Sequence, residues 1–391
     1  MGAGERGVGL MGINFPSSPA AGQVFWQGNT PAWVFGSGRW KRYAGTADTK
    51  NRLVNPAMQI SQENGLTDVI IAGVHIADNW RSALTTDTGV FRFQRVASPT
   101  PAGALHRLRL TVTTPDSNPG GADWMALYQP VEGTRVADLG YGTAAAKRAV
   151  VRFGFKGPAG TYAFGIRNTA VDRSFVSPFT VTAGQANTDL RYTISIPPCV
   201  DGTWANDTEA WGFLTWDLGE AGGTSNPNTW LSGNWTGYSG MTNGMTKAAG
   251  TVFELFDVGF YADPYNTGLA PHFYVPLYED DLRDCQRYWY RAYGMRGHIS
   301  TTLKSDRLSS PHPVPMRTTP YGFALVGSGL LIYDGNGTYA PSATYGLLAG
   351  TDELFLYCFI YIGTGPMNIG RVGGPLVNAQ TAAYLAVNAR L

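Results

Sequence analysis

The side chains best suited to chemistry in this chain are aromatic rings and short amides gathered in turn-rich stretches. Between Gly219 and Gly244, Trp230, Trp235 and Tyr238 stand among Asn226, Asn228 and Asn234 and many serines, threonines and glycines. Aromatic rings give rigid contact area at low entropy cost, and small amides give adaptable hydrogen bonds. Sugars ask for both, because their C–H faces stack on rings while their hydroxyls need amide partners. The segment is therefore expected to be a glycan-binding loop; the plainer alternative is a long loop stapled to its own protein by its rings. Trp204, beside Asp201, Asp207, Glu209 and Trp211, is expected to support the same binding. A competing site of the same chemistry is the turn carrying Tyr333, Asp334, Asn336 and Tyr339.

Bond-breaking chemistry has less to work with. Cutting a polysaccharide takes two carboxyl groups roughly 5 to 9.5 Å apart across the scissile bond. The acids Glu279, Asp280, Asp281 and Asp284 crowd what reads as a helix start, where they offset the dipole, and Asp352 and Glu353 precede an apolar run. Asp201, Asp207 and Glu209 are the acids hardest to set aside, yet structure or binding is the simpler duty for them. No catalytic residue is expected, and binding without hydrolysis is. The five histidines (75, 106, 272, 298, 312) are scattered singly, and the three cysteines (199, 285, 358) have no C-x-x-C spacing, so neither metal nor cofactor is expected. Gly2 to Gly7 matches G-x-G-x-x-G but has no strand before it, which a dinucleotide site needs.

Composition narrows the class further. With 29 basic and 28 acidic residues in 391, the formal charge is +1 and only 15% of residues are charged. A chain so balanced does not grip nucleic acid through its phosphates. The most apolar run, Leu354 to Ile362, is nine residues long where a membrane helix needs about 20. Met1 to Phe15 has no apolar core of a secretory signal, so a soluble protein with no membrane insertion and no such export is expected.

The elements that must hold these side chains are strands. Residues 1–50 read as a glycine-rich attachment segment with a hairpin, Gln23 to Trp26 against Trp33 to Phe35, too small to stand alone. Residues 51–277 alternate with period two: Leu108, Leu110 and Val112 oppose Arg107, Arg109, Thr111 and Thr113; Val151, Phe153 and Phe155 oppose Arg152 and Lys156; Tyr192, Ile194 and Ile196 repeat the pattern. One dry face and one wet face describe antiparallel sheets, and Thr251 to Tyr261, apolar on both faces, reads as a central strand. An all-β sandwich follows, the jelly roll among its forms. Residues 278–391 open with a helix from Tyr278, on which Leu282, Cys285 and Trp289 share a face, and continue as a second β domain. In it Leu354, Leu356, Cys358, Ile360 and Ile362 oppose Phe355, Tyr357, Phe359 and Tyr361, more apolar face than one small sheet covers, so a homo-oligomer is expected.

A family resemblance runs through residues 51 to 291. Asn51-Arg-Leu-Val-Asn-Pro-Ala-Met-Gln-Ile-Ser-Gln62 followed by Ala77-Asp-Asn-Trp80 resembles the opening of the jelly-roll, carbohydrate-binding-module-like domain of phage tail-fibre and receptor-binding proteins. Gln129 to Gly133, Leu139 to Thr143, Gly160 to Tyr162, Ile166 to Asn168, Arg173-Ser174, Thr193 to Pro197, Asp201 to Trp204 and Asp217 to Gly219 follow in the family's order. Asp284-Cys-Gln-Arg-Tyr-Trp-Tyr290 looks like the block that closes the domain, with Asp284 where an apolar residue is usual. Ala20 to Trp26 with Gly38-Arg-Trp40 is similar to the short hairpins at the front of such fibres. The head-spike fibre of a gene transfer agent would share the plan.

The resemblance implies a virion fibre or spike, made in the host cytoplasm and displayed outside a phage or phage-like particle. It implies a homotrimer joined to other virion proteins through residues 1–50 and adsorbing to host cell-surface polysaccharide. The alternatives from other classes are a structural particle component, such as a baseplate or decoration subunit, and a capsule depolymerase.

Overall fold

The computed structural model describes residues 15–19, 23–27, 30–36, 38–42, 50–70, 73–220, 223–224, 226–292, 296–301, 304–320, 322–326, 330–333, 338–339, 341–347, 351, 353–362, 372–377 and 384–391. The G-x-G-x-x-G match at residues 2 to 7 lies outside them. Near the N-terminus, β1 (Val24–Gln27), β2 (Thr30–Gly36) and β3 (Arg39–Arg42) form an antiparallel sheet. The expected hairpin forms, but its second strand starts at Thr30 rather than Trp33, because Thr30 and Pro31 pair with Gln27 and Trp26 instead of turning; the third strand is an addition to it. Trp40 on that strand packs on Phe35 opposite it and stacks on Phe15 at 4.9 Å, so aromatic burial recruits a strand too short and basic to be read from its residues alone.

The central body is built from twelve strands: β4 (His75–Ala77), β5 (Trp80–Thr85), β6 (Val90–Ala97), β7 (His106–Thr114), β8 (Trp124–Glu132), β9 (Ala149–Lys156), β10 (Gly160–Asn168), β11 (Ser174–Val181), β12 (Leu190–Ile196), β13 (Ala210–Glu220), β14 (Trp230–Leu231) and β15 (Val252–Ala262). They form a seven-stranded sheet in the order β14-β11-β10-β13-β8-β5-β4 and a five-stranded sheet in the order β12-β9-β15-β7-β6. Every neighbour pairs antiparallel, and the non-consecutive neighbours mark long crossovers between sheets. The two sheets face each other through the dry sides of the alternating strands. Phe153 of the five-stranded sheet meets Trp216 of the seven-stranded one at 5.7 Å, and Phe155 meets Tyr162 at 5.6 Å. Leu108, Leu110, Val112, Val151, Phe153 and Phe155 are all buried, as the alternation requires. Burying each such large apolar side chain contributes about 1.5–3 kcal/mol, which makes this interface the main source of stability. The protein is an all-β sandwich.

β15 is central and buried on both faces. Its two acids stay buried because each has partners. Glu254 binds Arg109 at 2.5 Å and Arg107 at 3.1 Å, and Asp257 accepts from the Thr100 hydroxyl at 2.6 Å at a bulge where its φ is 50°.

The helix spans Tyr278–Gln286, with Glu279, Asp280 and Asp281 in its first turn. Cys285 and Leu282 dock with Tyr288 on Val54 and Ile60 of the first sandwich segment. Asp281 does more than offset the dipole: it is buried and accepts from the Asn55 backbone N–H at 3.0 Å and from Gln59 at 3.3 Å, and burial pushes its carboxyl up to about 6. Glu132, at the end of β8, takes Arg287 and the Tyr288 hydroxyl on the same seam.

The remaining strands are β16 (Trp289–Ala292), β17 (Arg296–Thr301), β18 (Lys304–Pro311), β19 (Gly322–Val326), β20 (Leu330–Tyr333), β21 (Thr338–Tyr339), β22 (Pro341–Leu347), β23 (Phe355–Ile362), β24 (Val372–Val377) and β25 (Tyr384–Asn388). They make sheets ordered β16-β25-β19 and β21-β20-β24-β17-β18-β23-β22. The apolar run from Leu354 becomes β23, paired on both sides by β18 and β22. Its aliphatic face starts one step later than the alternation suggests: Leu356 is buried, whereas Leu354 precedes the strand and is exposed. Arg317 ties the chain end to the sandwich, donating to the carbonyls of Ala389, Arg390 and Thr208.

Candidate functional site

Alternation along the seven-stranded sheet sets one row of side chains against the core and the other away from it. On β8, Met125, Leu127 and Val131 join the core, so Trp124 and Tyr128 point outward; on β13, Leu214 and Trp216 point inward and Phe213 outward; on β10, Phe164 and Ile166 point inward and Arg167 outward. Cross-strand register then places Arg81 of β5 opposite Tyr128, and Phe213 opposite Arg167. The rings and guanidinium groups pack on one another: Arg81 lies over Tyr128 at 5.4 Å, Tyr128 meets Phe213 edge-on at 6.0 Å, and Arg167 lies over Phe213 at 4.9 Å. All five side chains are half-buried.

A cleft of about 190 Å³ opens on this face between Asp123 and Trp124 on one side and Arg167, Asn234 and Thr236 on the other. The Trp124 indole N–H donates to Asp217 at 2.8 Å, and the Thr236 hydroxyl donates to the same carboxylate at 3.0 Å. Arg167 donates to the Asn234 side-chain oxygen at 3.0 Å. Gly165 makes this roof possible, since a Cβ there would lie 3.1 Å from the Thr236 carbonyl. Burial lowers the Arg167 guanidinium from its ordinary value and raises the Tyr128 phenol, so both groups sit where water is partly excluded.

The glycan-binding residues suggested by the sequence fall in several places. Asn234 reaches this cleft. Trp230 and Trp204 come together elsewhere, at one end of the sandwich, in a cluster with Tyr141 and Trp211: Trp204 lies 4.4 Å from Trp211 and 5.6 Å from Trp230. Both indole N–H groups are committed, Trp230 to the Pro197 carbonyl at 2.8 Å and Trp204 to the Asp201 carbonyl at 3.0 Å. Trp235 is 37% exposed, its indole donating to the Ser232 carbonyl, and no ring contact joins it or Tyr238 to that cluster. Tyr238 is half-buried and bridges to Thr224 through the backbone. Asn226 and Asn228 are exposed; Asn228 takes a left-handed φ of 66° while its backbone N–H donates to Val176. Of the C-terminal alternative, Tyr333 pairs with Thr338 and Tyr339 with Ile332, while Asp334 and Asn336 lie outside the described residues.

The end cluster borders a second cleft of about 480 Å³, walled by Tyr141, Gly142, Thr143, Trp204, Asn206 and Trp211. The acids beside it are engaged: Asp201 forms a two-pronged pair with Arg173, both contacts at 2.6 Å, which holds its carboxyl below the usual range. Asp207 accepts from the Glu209 backbone N–H, and Glu209 lies 3.5 Å from Arg317. Among the described residues no three His, Cys, Asp or Glu side chains are grouped to hold a metal ion.

Trp124, Tyr128, Phe213, Arg81 and Arg167 are candidates that loop composition does not single out. The signal was present in Trp124-Met-Ala-Leu-Tyr128, where two rings share the face opposite Met125 and Leu127.

No protein-family model matches the chain, and no curated protein matches it. Among solved structures it is similar to the enzymatically active domain of bacteriophage CBA120 tailspike protein 4, at 11% identity and a TM-score of 0.29 over 55% of this chain and 21% of that one. It is also similar to the module TmCBM61 in complex with β-1,4-galactotriose, at 11% identity and a TM-score of 0.28 over 55% of this chain and 100% of that one. A family 11 carbohydrate-binding module of a Clostridium thermocellum cellulase follows at 11% identity and a TM-score of 0.26, over 51% of this chain and 96% of that one. The chain thus spans about a fifth of the tailspike chain and the full length of the smaller module. No residue role passes from any of them to this protein, whose β-sandwich stands on its own two sheets.

Proposed function

We propose that this protein binds a glycan on the outward face of its seven-stranded sheet, without cutting it. The observation that carries the reading is that face itself: Trp124, Tyr128 and Phe213 stand out from the sheet rather than into the core, beside a cleft walled by Asn234 and Thr236. Rings supply stacking area, and amide and hydroxyl groups at the rim supply partners for sugar hydroxyls. Binding rather than hydrolysis is favoured because the carboxylates at this cleft are engaged, Asp217 by the Trp124 and Thr236 hydrogens and Asp123 by the Gly120 N–H.

The biological reading is a fibre or spike on a phage or phage-like particle, displayed outside the virion and adsorbing to host cell-surface polysaccharide. In this reading residues 1–50 attach to other virion proteins, residues 51–277 bind, residues 278–391 form a short helix and a second β domain, and the assembly is a homotrimer. A second glycan site is favoured by one observation, the half-buried Trp204 on the wall of the end cleft. A glycan array combined with a reducing-end assay on host polysaccharide tests the whole set. Binding without sugar release supports a receptor-binding fibre, release makes the protein a depolymerase, and neither makes it a structural component. Trp124→Ala should abolish array binding, whereas loss through Trp204→Ala alone would move the site to the end cleft.

A further inference from the structure

Most arginines with ion partners in the sandwich sit against carboxylates: Arg52 on Asp138, Arg107 on Asp189 and Glu254, Arg173 on Asp201. Arg81 and Arg167 do not, and unlike Arg95, Arg148 and Arg152, which also lack such a partner, they stand over rings on the outward sheet face. Among the described residues neither has a carboxylate at ion-pair distance. Arg81 donates through Nε and Nη2 to the Gly73 carbonyl, and Arg167 through Nη1 to Asn234. Each guanidinium is laid against a ring, Tyr128 or Phe213, which fixes its plane and leaves further N–H donors open. The carboxylates on this face lie toward Trp124: Asp217 is buried and takes the Trp124 and Thr236 hydrogens, and Asp123 is buried and accepts from the Gly120 N–H. Register puts Arg81 opposite Tyr128, Tyr128 opposite Thr215, and Thr215 opposite Gly165, two residues from Arg167. Three strand spacings and that two-residue offset separate the arginine Cα atoms by about 16 Å.

We propose that the ligand of this face is an acidic glycan whose anionic groups, carboxylate or phosphate, are received by Arg81 and Arg167 while its rings stack on Trp124, Tyr128 and Phe213. The proposal rests on the glycan-binding reading above and adds the charge of the ligand. A guanidinium fixed on a ring presents a planar fork that matches a carboxylate or phosphate, and partial exclusion of water strengthens the contact. The rings between the two arginines suit a chain long enough to reach both.

The test is calorimetric titration of the intact protein with polygalacturonate oligosaccharides, their carboxyl-reduced neutral counterparts, a wall teichoic acid and neutral β-1,4-galactotriose. The acidic probes should bind at least about tenfold more tightly than the neutral ones, with affinity falling as salt rises. Polygalacturonate and teichoic acid separate carboxylate from phosphate as the preferred group. R81Q and R167Q should each reduce the acidic-to-neutral affinity ratio about threefold, the double variant should abolish the preference, and R167K, which keeps charge but loses the fork, should fall between R167Q and the parent. Thermal melting of each variant distinguishes lost packing on Phe213 or Tyr128 from lost recognition. Equal affinity for native and carboxyl-reduced probes, or a ratio unchanged in the double glutamine variant, overturns the acidic ligand while leaving glycan binding in place. No binding by any probe overturns both.

Discussion

Two groups of aromatic rings sit on this sandwich, and they differ in what packs against them. At the sandwich end, Trp204, Trp211, Tyr141 and Trp230 pack on one another, and the indoles of Trp204 and Trp230 donate to backbone carbonyls. On the sheet face, Trp124, Tyr128 and Phe213 keep company with arginines and a cleft. The first arrangement closes a β-sandwich by satisfying donors and burying rings; the second sets rings against guanidinium groups on a half-buried sheet face. A tryptophan in a loop thus says less about recognition than the face on which the fold presents it.

Trp211→Ala should cost the most, because Trp211 is almost wholly buried between Trp204, Tyr141 and Phe260. A cavity of that size should cost about 3–5 kcal/mol, read as a lower midpoint in urea unfolding. A loss near that of a surface change would mean the end cluster is not core.

Polar groups make the same contrast through Asp281, which the helix seam closes off as the sheet face does not. Its carboxyl titrates at about 6 in the folded protein. An acid whose folded value lies above its unfolded value is protonated in the folded state first, so stability is greatest below pH about 4 and falls as pH rises through about 6. For this nearly buried group the change is of order 3 kcal/mol. Melting temperature followed from pH 4 to 8 should decline from this source, and Asp281→Asn should flatten the decline; parallel curves would place the titration elsewhere.

Trp230→Ala sharpens the line between the clusters, since Trp230 is half-buried on Phe175 and bound to Pro197. A loss of about 1–3 kcal/mol in denaturant unfolding, with glycan binding at the sheet face kept, is the expected result. Loss of binding at unchanged stability would return the site to the loop. Trp124→Ala takes a donor from the buried Asp217 carboxylate, so a loss of about 1–3 kcal/mol should accompany the loss of array binding.

Legibility followed the range of the interactions involved. The alternation of Leu108, Leu110 and Val112 and of Val151, Phe153 and Phe155 was readable because one strand alone decides which of its side chains share a face. The Tyr278–Gln286 helix was readable from acids in its first turn, but the burial of Asp281 was not, because its partners Asn55 and Gln59 lie more than 200 residues away. The loop at 219–244 was legible as a composition, and Asn234 in it does reach the cleft.

The long alternating strands, their dry faces and the all-β class were legible in the sequence, since each depends on a local period of two; the short β3 was not. Tertiary structure decided which rings face outward together. Trp124 and Tyr128 become neighbours of Phe213, Arg81 and Arg167 only through the pairing of β5, β8, β13 and β10. Trp230 and Trp204 pack at the sandwich end only because β14 adds to the sheet edge beside β11. Cross-strand neighbours are set by register among segments far apart in the chain, and no single segment contains that information.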